Sequence, residues 1–577
     1  MSSVLLTILI ASLVLIYLSL PYLKNNLTDV DILALLNQSS TSHTRKLGET
    51  TIYRSIDVPH GFPLTTGLRI RSGYNLRDGN LKDIWYNCII DLKESNNNNN
   101  NNIKSVNFLN DKNESISFLK LNKLCHDLEN SINGSTKFKK INLMAPLNQI
   151  NSLTVLCTGL FMNSNYTLNY ISNEFNLKDV PEDSDIIFTI SANIPTLLRY
   201  LENFTQIIVL DEISDNFLQN SDKIIRFADF IKSKNDDKGE NEDLKYDYNP
   251  DDIRVEINPL IISSNKSTTK FYQRNFVSAI SSQLMSLPKD HNWNPSDKLL
   301  ISINDNDSNN KDTSIEPDIS NFIVKFLSGL LSSVNEITIS LDSELSIDKL
   351  IKINPSILSM NSFNFKKMIN NQIKSDLPIL SKISKNLITN EIFNNLGKLK
   401  EFESLNLRLV YLSINNNLHY NFQNSINSSE LITILSILNT RIIVEKLNRF
   451  CVGPIFKTNL FDYRLHKSDL NLLSSYDLFY RKLGVASNCI ESKLKDSEIN
   501  GVGLLAENKA GRLFIRGFNI GKSDLNINTF KKVESGEKGD GAEDAADDEG
   551  WMPTEIFGKF GNDGCFYEYA ISERVNQ

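Results

Sequence analysis

Residues Asp185–Asp211 read DIIFTISANIPTLLRYLENFTQIIVLD. DIIFTI (Asp185–Ile190) is a short apolar run without alternation, the pattern of a strand buried on both faces. PTLLRYLENF (Pro195–Phe204) has apolar residues at helical spacing and a proline at its start, which predicts a helix. QIIVLD (Gln206–Asp211) is a second β-branched run. Two strands joined through a helix form a parallel pair, because a crossover is needed to bring the chain back to the same end of the sheet.

The same alternation continues outward from this unit. KLLISI (Lys298–Ile303), EITISL (Glu336–Leu341), LRLVYLSI (Leu407–Ile414) and RIIVEKL (Arg441–Leu447) read as further strands, and SSELITILSILN (Ser428–Asn439) as a helix. Toward the C-terminus the pattern shortens. GRLFIRGFNI (Gly511–Ile520) and GCFYEYAI (Gly564–Ile571) predict antiparallel strands of a smaller β subdomain. Between the runs lie polar stretches that predict solvated loops: Asn96–Asn102, Lys234–Asp252, Asn304–Glu316 and the acidic Glu534–Glu549.

At the other end, Val4–Leu23 (VLLTILIASLVLIYLSLPYL) carries no charge. About 20 apolar residues suffice to cross a hydrocarbon core of about 30 Å. The run is longer than a signal-peptide core and lacks a basic leader, so it predicts a single membrane-spanning anchor. Lys24, Arg45 and Lys46 follow it and no Lys or Arg precedes it, which favours a cytosolic body. A net charge of −8 and the lack of a basic stripe argue against a nucleic-acid partner. The six cysteines have no CxxC spacing, which predicts neither a zinc site nor a disulfide framework, and the six histidines are scattered. Sequons, for example at Asn113, Asn133 and Asn203, are the only support for a lumenal glycoprotein of unrelated function.

Three phrases in order resemble the adenylate-forming (AMP-binding) superfamily, and within it the long-chain acyl-CoA synthetases. GVASNCIESKL (Gly484–Leu494) resembles the family's G-x-P-x-P-C-x-E-x-K-L strand. GRLFIRGFNIGK (Gly511–Lys522) resembles G-E-L-x-I-R-G-x-N, and DEGWMPTEIFGKFGNDGCFYEY (Asp548–Tyr569) resembles D-G-W-x-x-T-G-D-x-G-x-x-x-x-D-G-x-x-Y. Upstream, IISSNKSTTKFYQRNFVSAI (Ile261–Ile280) stands where the family has its phosphate-binding loop and the following helix start. TRKLGETTIYRS (Thr44–Ser55) and LKDIW (Leu81–Trp85) resemble its entry segment. The resemblance implies an α/β body of two βαβ lobes plus a smaller β subdomain behind the transmembrane helix. Its expected divisions are an anchor at 1–24, α/β lobes at 25–440, and the end of the α/β lobe with the β subdomain at 441–577, the acidic loop being 534–549. It also implies that the family's C-terminal lid, with its catalytic lysine, does not follow.

At the chemical stations the chain departs from the family. The loop matching the phosphate cradle, Ser263, Ser264, Ser267, Thr268 and Lys270 with their neighbours, has hydroxyls and cations but no glycine to turn backbone N–H groups inward. Where the family has Y-G-x-T-E the chain has KLNRF (Lys446–Phe450), so Arg449 and Phe450 stand for the phosphate and Mg²⁺ residues. Where it has T-G-D, Thr554 is kept and Ile556 replaces the ribose-binding aspartate. VYLSINNNL (Val410–Leu418) replaces the glycine-rich adenine segment. The resemblance therefore implies a degenerate synthetase with no intact catalytic residue, no metal site and no cofactor. Its expected place is the endoplasmic reticulum or a lipid droplet, where it binds fatty acid or acyl-CoA, or scaffolds an active acyl-CoA synthetase. The competing expectation is a divergent, active long-chain fatty acid–CoA ligase. That enzyme would use ATP, Mg²⁺ and CoA, with Ser264, Ser267, Thr268 and Lys270 on phosphate and Glu555 on metal or ribose.

Overall fold

The computed structural model describes residues 12, 14–15, 28–72, 75–97, 104–110, 113–133, 140–161, 167–171, 184–199, 204–212, 223–232, 260–263, 268–304, 318–343, 345–370, 377–414, 426, 428–462, 478–499, 502–523 and 550–571. The predicted anchor Val4–Leu23 lies outside them save for three residues, as do the loops 234–252, 305–316 and 534–549. Among the described residues no helix is long and apolar enough to cross a membrane.

Two sheets organise the body. The smaller, eight-stranded sheet contains the unit that opened the sequence reading. Strands Ser184–Thr189 and Phe204–Val209 pair in parallel, with Ile186 opposite Gln206. Their connection is described only up to residue 199, residues 200–203 lying outside the described residues. A 3-10 turn, Ser191–Asn193, leads into the short helix Ile194–Leu197, and Phe204 already belongs to the second strand. Phe204 is fully buried there, and that burial overrides its helical phase.

The larger sheet has fifteen strands. One half is parallel: Arg441–Leu447, Leu409–Ile414, Ile357–Asn361, Lys298–Ile303, Glu336–Leu341 and Ser105–Leu109 lie side by side. The apolar runs KLLISI, EITISL and RIIVEKL are strands over their full predicted lengths, and Ser428–Leu438 is a helix. Strand Pro454–Lys457 turns the sheet antiparallel and joins it to the β subdomain. There Leu478–Ala486, Phe566–Ile571, Met552–Phe560, Ala510–Gly517 and Ile490–Lys495 follow one another, antiparallel as the C-terminal phrases predict. The first strands of the chain, Ser39–Thr41 and Tyr53–Ser55, close this end of the sheet.

Helices Leu81–Asn97, Ile150–Phe161, Gln273–Met285 and Ile319–Leu331 fill the space between the sheets. Their buried side chains share one apolar cluster with residues from both sheets, including Leu143, Phe188, Ile301 and Ile339. The body is thus an α/β core with one long mixed sheet, its β subdomain continuous with its parallel half.

Candidate functional site

In open parallel sheets the crevice beyond the carboxyl ends of the strands is where ligands bind. Here that edge is formed by Ile303, Asn361, Ile414 and Leu447 and by the segments that follow them. A narrow crevice there is lined by Ser302, Asn304, Asp318, Asn321, Asn361 and Ser413, together with Ile301, Phe322 and Met360. Ser302 Oγ donates to Asp342, and Asn364 Nδ2 donates to Asn304 and, at 2.6 Å, to Asp342. Asp318 Oδ2 and Asn321 Oδ1 are buried with no hydrogen-bond partner among the described residues. Burial, then the nearby Glu445 charge, pushes the Asp318 carboxyl up to about 7. Deeper still, the fully buried Lys325 Nζ sits 2.6 Å from Glu445 Oε1 and 3.6 Å from the centre of the Tyr411 ring. The Tyr411 hydroxyl in turn accepts from Trp293 Nε1 at 3.1 Å.

The family's chemical stations gather at the same edge. Phe450 and Ile556, from segments more than a hundred residues apart in sequence, share one apolar cluster with Ile414, Ile455, Phe456 and Ile490. The positions expected to carry metal and ribose ligands are therefore packed core. A hard cation needs oxygen ligands, and neither side chain has one. Arg449 is drawn away from this core. Its guanidinium stacks 4.7 Å from the Phe450 ring centre and pairs with the half-exposed Glu555 at 2.9 Å. Thr554 is buried, and its hydroxyl donates to Leu513 O at 2.8 Å and accepts from the Ile556 N–H at 3.2 Å, so it is occupied in holding two strands together.

The segment matching the phosphate cradle is flanked by paired strands, and its residues 264–267 lie outside the described residues. Leu260–Ser263 and Thr268–Phe271 form an antiparallel hairpin, so Thr268, Thr269 and Lys270 are strand residues. Two adjacent β-branched threonines suit a strand and resist the left-handed turns of a phosphate cradle. Thr269 is buried, and Lys270 pairs in register with Ile261 on one side and Lys522 on the other. Ser264 and Ser267 lie outside the described residues, and so does the side chain of Ser263. The hairpin still reaches the Phe450 station through one strap. Asn275 Nδ2 donates to Phe518 O and Ile520 O at 2.7 and 3.0 Å, and the Gly521 N–H donates to Phe450 O at 2.9 Å.

The residues that carry the resemblance build the β subdomain instead. Glu491 takes Arg54 at 2.6 Å and Arg516 at 2.5 Å. Lys493 pairs with Glu49 at 2.8 Å, and Lys493 and Arg516 both lie over the buried Trp551 ring, at 4.5 and 4.7 Å. Gly484 has φ +81, and a Cβ there would stand 2.0 Å from Lys457 O, so only glycine fits. The sequence reading missed one cluster, because its members are far apart in the chain. Asp462, Asp563 and Cys565 place their ligand atoms within 4.8 Å of one another. A cation already stands among them: Lys482 Nζ lies 2.6 Å from Asp462 and 3.0 Å from Asp563.

This architecture is the fold of the adenylate-forming acyl-CoA ligases. The N-terminal domain of FACL13 from Mycobacterium tuberculosis superposes with a TM-score of 0.51 at 11% identity, over 85% of this chain and 99% of that one. A long-chain-fatty-acid-CoA ligase (FadD1) from Archaeoglobus fulgidus gives 0.52 at 12% identity, over 89% and 87%. A luciferase-like enzyme from the nonluminescent mealworm Zophobas morio gives 0.53 at 10% identity, over 89% and 100%. In sequence, the chain is 28% identical over 577 residues to the uncharacterized protein YHR045W of Saccharomyces cerevisiae, covering 95% of this chain and 94% of that one. No family model matches the chain.

Proposed function

We propose that this protein is a membrane-anchored member of the acyl-CoA synthetase-like fold that has given up adenylate chemistry and serves lipid metabolism as a binding or scaffolding protein. One observation carries the reading: Phe450 and Ile556 lie together in the apolar cluster of the β subdomain, where adenylation would need oxygen ligands for metal and ribose. Adenylation requires the α-phosphate to be held in line with a carboxylate while charge builds on its oxygens, and donors must already be aimed at that charge. The hairpin geometry of Thr268–Phe271 adds to this, since a paired strand offers its N–H groups to its neighbours rather than to an anion. The apolar Val4–Leu23 supports anchoring, with the body on the cytosolic side at the endoplasmic reticulum or a lipid droplet. The partner of such a body is a fatty acid, an acyl-CoA or an active synthetase.

The competing reading, a divergent active ligase using ATP, Mg²⁺ and CoA, has one observation in its favour. Glu555 and Arg449 are an accessible pair of opposite charges beside the ribose and phosphate stations. The deciding assay is acyl-CoA formation and pyrophosphate release from palmitate, ATP and CoA by protein free of other synthetases. The expected result is no turnover above background. Turnover that is lost in Glu555→Ala and in Lys270→Ala would replace the scaffold reading by the ligase.

A further inference from the structure

The helix Ile379–Thr389 (ILSKISKNLIT) is inverted. It buries Ser381, Ser384 and, near its end, Ile388, while its first half turns Ile379, Leu380 and Ile383 outward. Ile379 is 76% exposed, Leu380 59% and Ile383 45%. Its inner face fits small residues closely. A Cβ on Gly397 would stand 2.3 Å from Ser436 Oγ and 2.6 Å from Ser384 Cβ, and Ser381 Oγ donates to Gly397 O at 2.9 Å. An exposed apolar strip on a soluble body usually marks a surface that meets something.

Its place in the fold says what. Ser436 Oγ donates to Ser381 O at 3.1 Å, so the start of this helix lies against the last turn of helix Ser428–Leu438. That turn leads within three residues to Arg441, the first residue of its strand, so the exposed strip sits at the amino edge of the parallel sheet. Arg441 is also where the chain arrives from the apolar N-terminal run. Its guanidinium pairs with Asp29 at 2.9 Å and stacks 4.4 Å from the ring centre of Phe393, just past the inverted helix. Asp29 follows Leu23 by six residues, a reach of at most about 20 Å. Next along the chain, helix Ile32–Leu36 leaves Leu33 and Leu36 exposed as well. The inverted helix carries Lys382 and Lys385 and no acid, although the whole chain is acidic.

We propose that helix Ile379–Thr389 lies in the headgroup layer of an anionic bilayer, a second contact that presses the amino edge of the parallel sheet against the membrane. Exposed Ile and Leu beside lysines are the pattern of an interfacial helix, and lysines near an anionic surface add attraction that salt screens. The inference rests on the reading of Val4–Leu23 as a membrane anchor.

All six native cysteines are buried, so a single added surface cysteine labels selectively. Full-length Ile379→Cys, Ile383→Cys and, as a control on the exposed Leu505 of the β subdomain, Leu505→Cys are labelled with an environment-sensitive fluorophore. Each is reconstituted into phosphatidylcholine vesicles with and without phosphatidylserine. The expected result is quenching of the 379 and 383 labels by doxyl-labelled lipid, at least twofold above the 505 label and stronger with phosphatidylserine. Vesicle flotation with equal quenching at all three positions overturns the helix contact and leaves the anchor standing. Labels at 379 and 383 shielded from iodide but untouched by doxyl lipid assign the strip to a protein partner, and the proposal falls. Failure to float at all removes the anchor, and this inference with it.

Discussion

The buried Lys325–Glu445 pair shows how much a single side chain commits here. Neither residue sees solvent, and Glu445 Oε2 has no hydrogen-bond partner among the described residues. Removing one charge strands the other, which costs about 3–5 kcal/mol, whereas replacing both with apolar groups of similar volume is close to neutral. Lys325→Met is therefore expected to lower the melting temperature sharply, and Lys325→Met with Glu445→Leu to restore most of it. A double variant as unstable as the single one would mean that the pair is not the source of the loss. Asp318 ties stability to pH. Its carboxyl, raised to about 7 by burial and by Glu445, keeps a proton in the folded state that the unfolded chain releases near its ordinary value of about 4. Stability then falls as pH rises from about 4 to about 7, and the loss persists above that. Asp318→Asn is expected to melt above the parent at pH 8, with a smaller gap at pH 5. Melting curves that stay parallel across that range would show that Asp318 is already ionised at pH 5. None of these side chains was singled out in the sequence. Lys325 sits in an apolar helix and Glu445 in an apolar strand, and only the crossing of the two elements reveals why a charge is tolerated in each.

At the level of elements, the phrases GVASNCIESKL and GRLFIRGFNI were legible because local geometry preserves them. Gly484 must adopt φ +81 against Lys457 O, and Glu491, Arg516 and Trp551 interlock. Gly484→Ala is expected to destabilise by at least about 1–2 kcal/mol from the left-handed backbone alone, with the contact to Lys457 O adding to it. A drop in melting temperature with unchanged secondary structure would be the signature. The misread elements are those where tertiary contacts overrule spacing. Phe204 leaves the predicted helix for a buried strand, and Thr268–Lys270 leave the predicted loop for a hairpin. The strand Met552–Phe560 alternates fully buried residues with more accessible ones, and Ile556 falls in its inward phase. Placing an aspartate there puts a charge among Phe450, Ile455 and Ile490. Ile556→Asp is thus expected to cost several kcal/mol and to gain no ATP affinity. Saturable ATP binding by a folded Ile556→Asp protein would show that the ribose station is open after all.

For the whole molecule, the α/β class and the change to an antiparallel subdomain could be read from run lengths. The union of both halves in one fifteen-stranded sheet could not, because strand order carries no local signal. If Val4–Leu23 anchors the chain as proposed, the body is expected on the cytosolic side. Protease added to sealed microsomes is expected to degrade the body, and Asn113 and Asn203 are expected to carry no glycan. Protection, or a glycan at either site, would place the body in the lumen. The closure of the sheet has a further consequence, for synthesis. Tyr53 pairs with Ser492, Arg54 holds Glu491, and Ser39 Oγ donates to Gly564 O at 2.6 Å. Strands Ser39–Thr41 and Tyr53–Ser55 pair with each other, but their link to the rest of the sheet is made by residues that leave the ribosome much later. At roughly 5–20 residues per second, that interval is on the order of 20–90 s. Throughout it these two strands have only each other to pair with, and the second strand's other edge waits for Ser492. A chain cut anywhere before Ile490 lacks the strand that receives Tyr53, so its sheet cannot close however much of the α/β core is already in place.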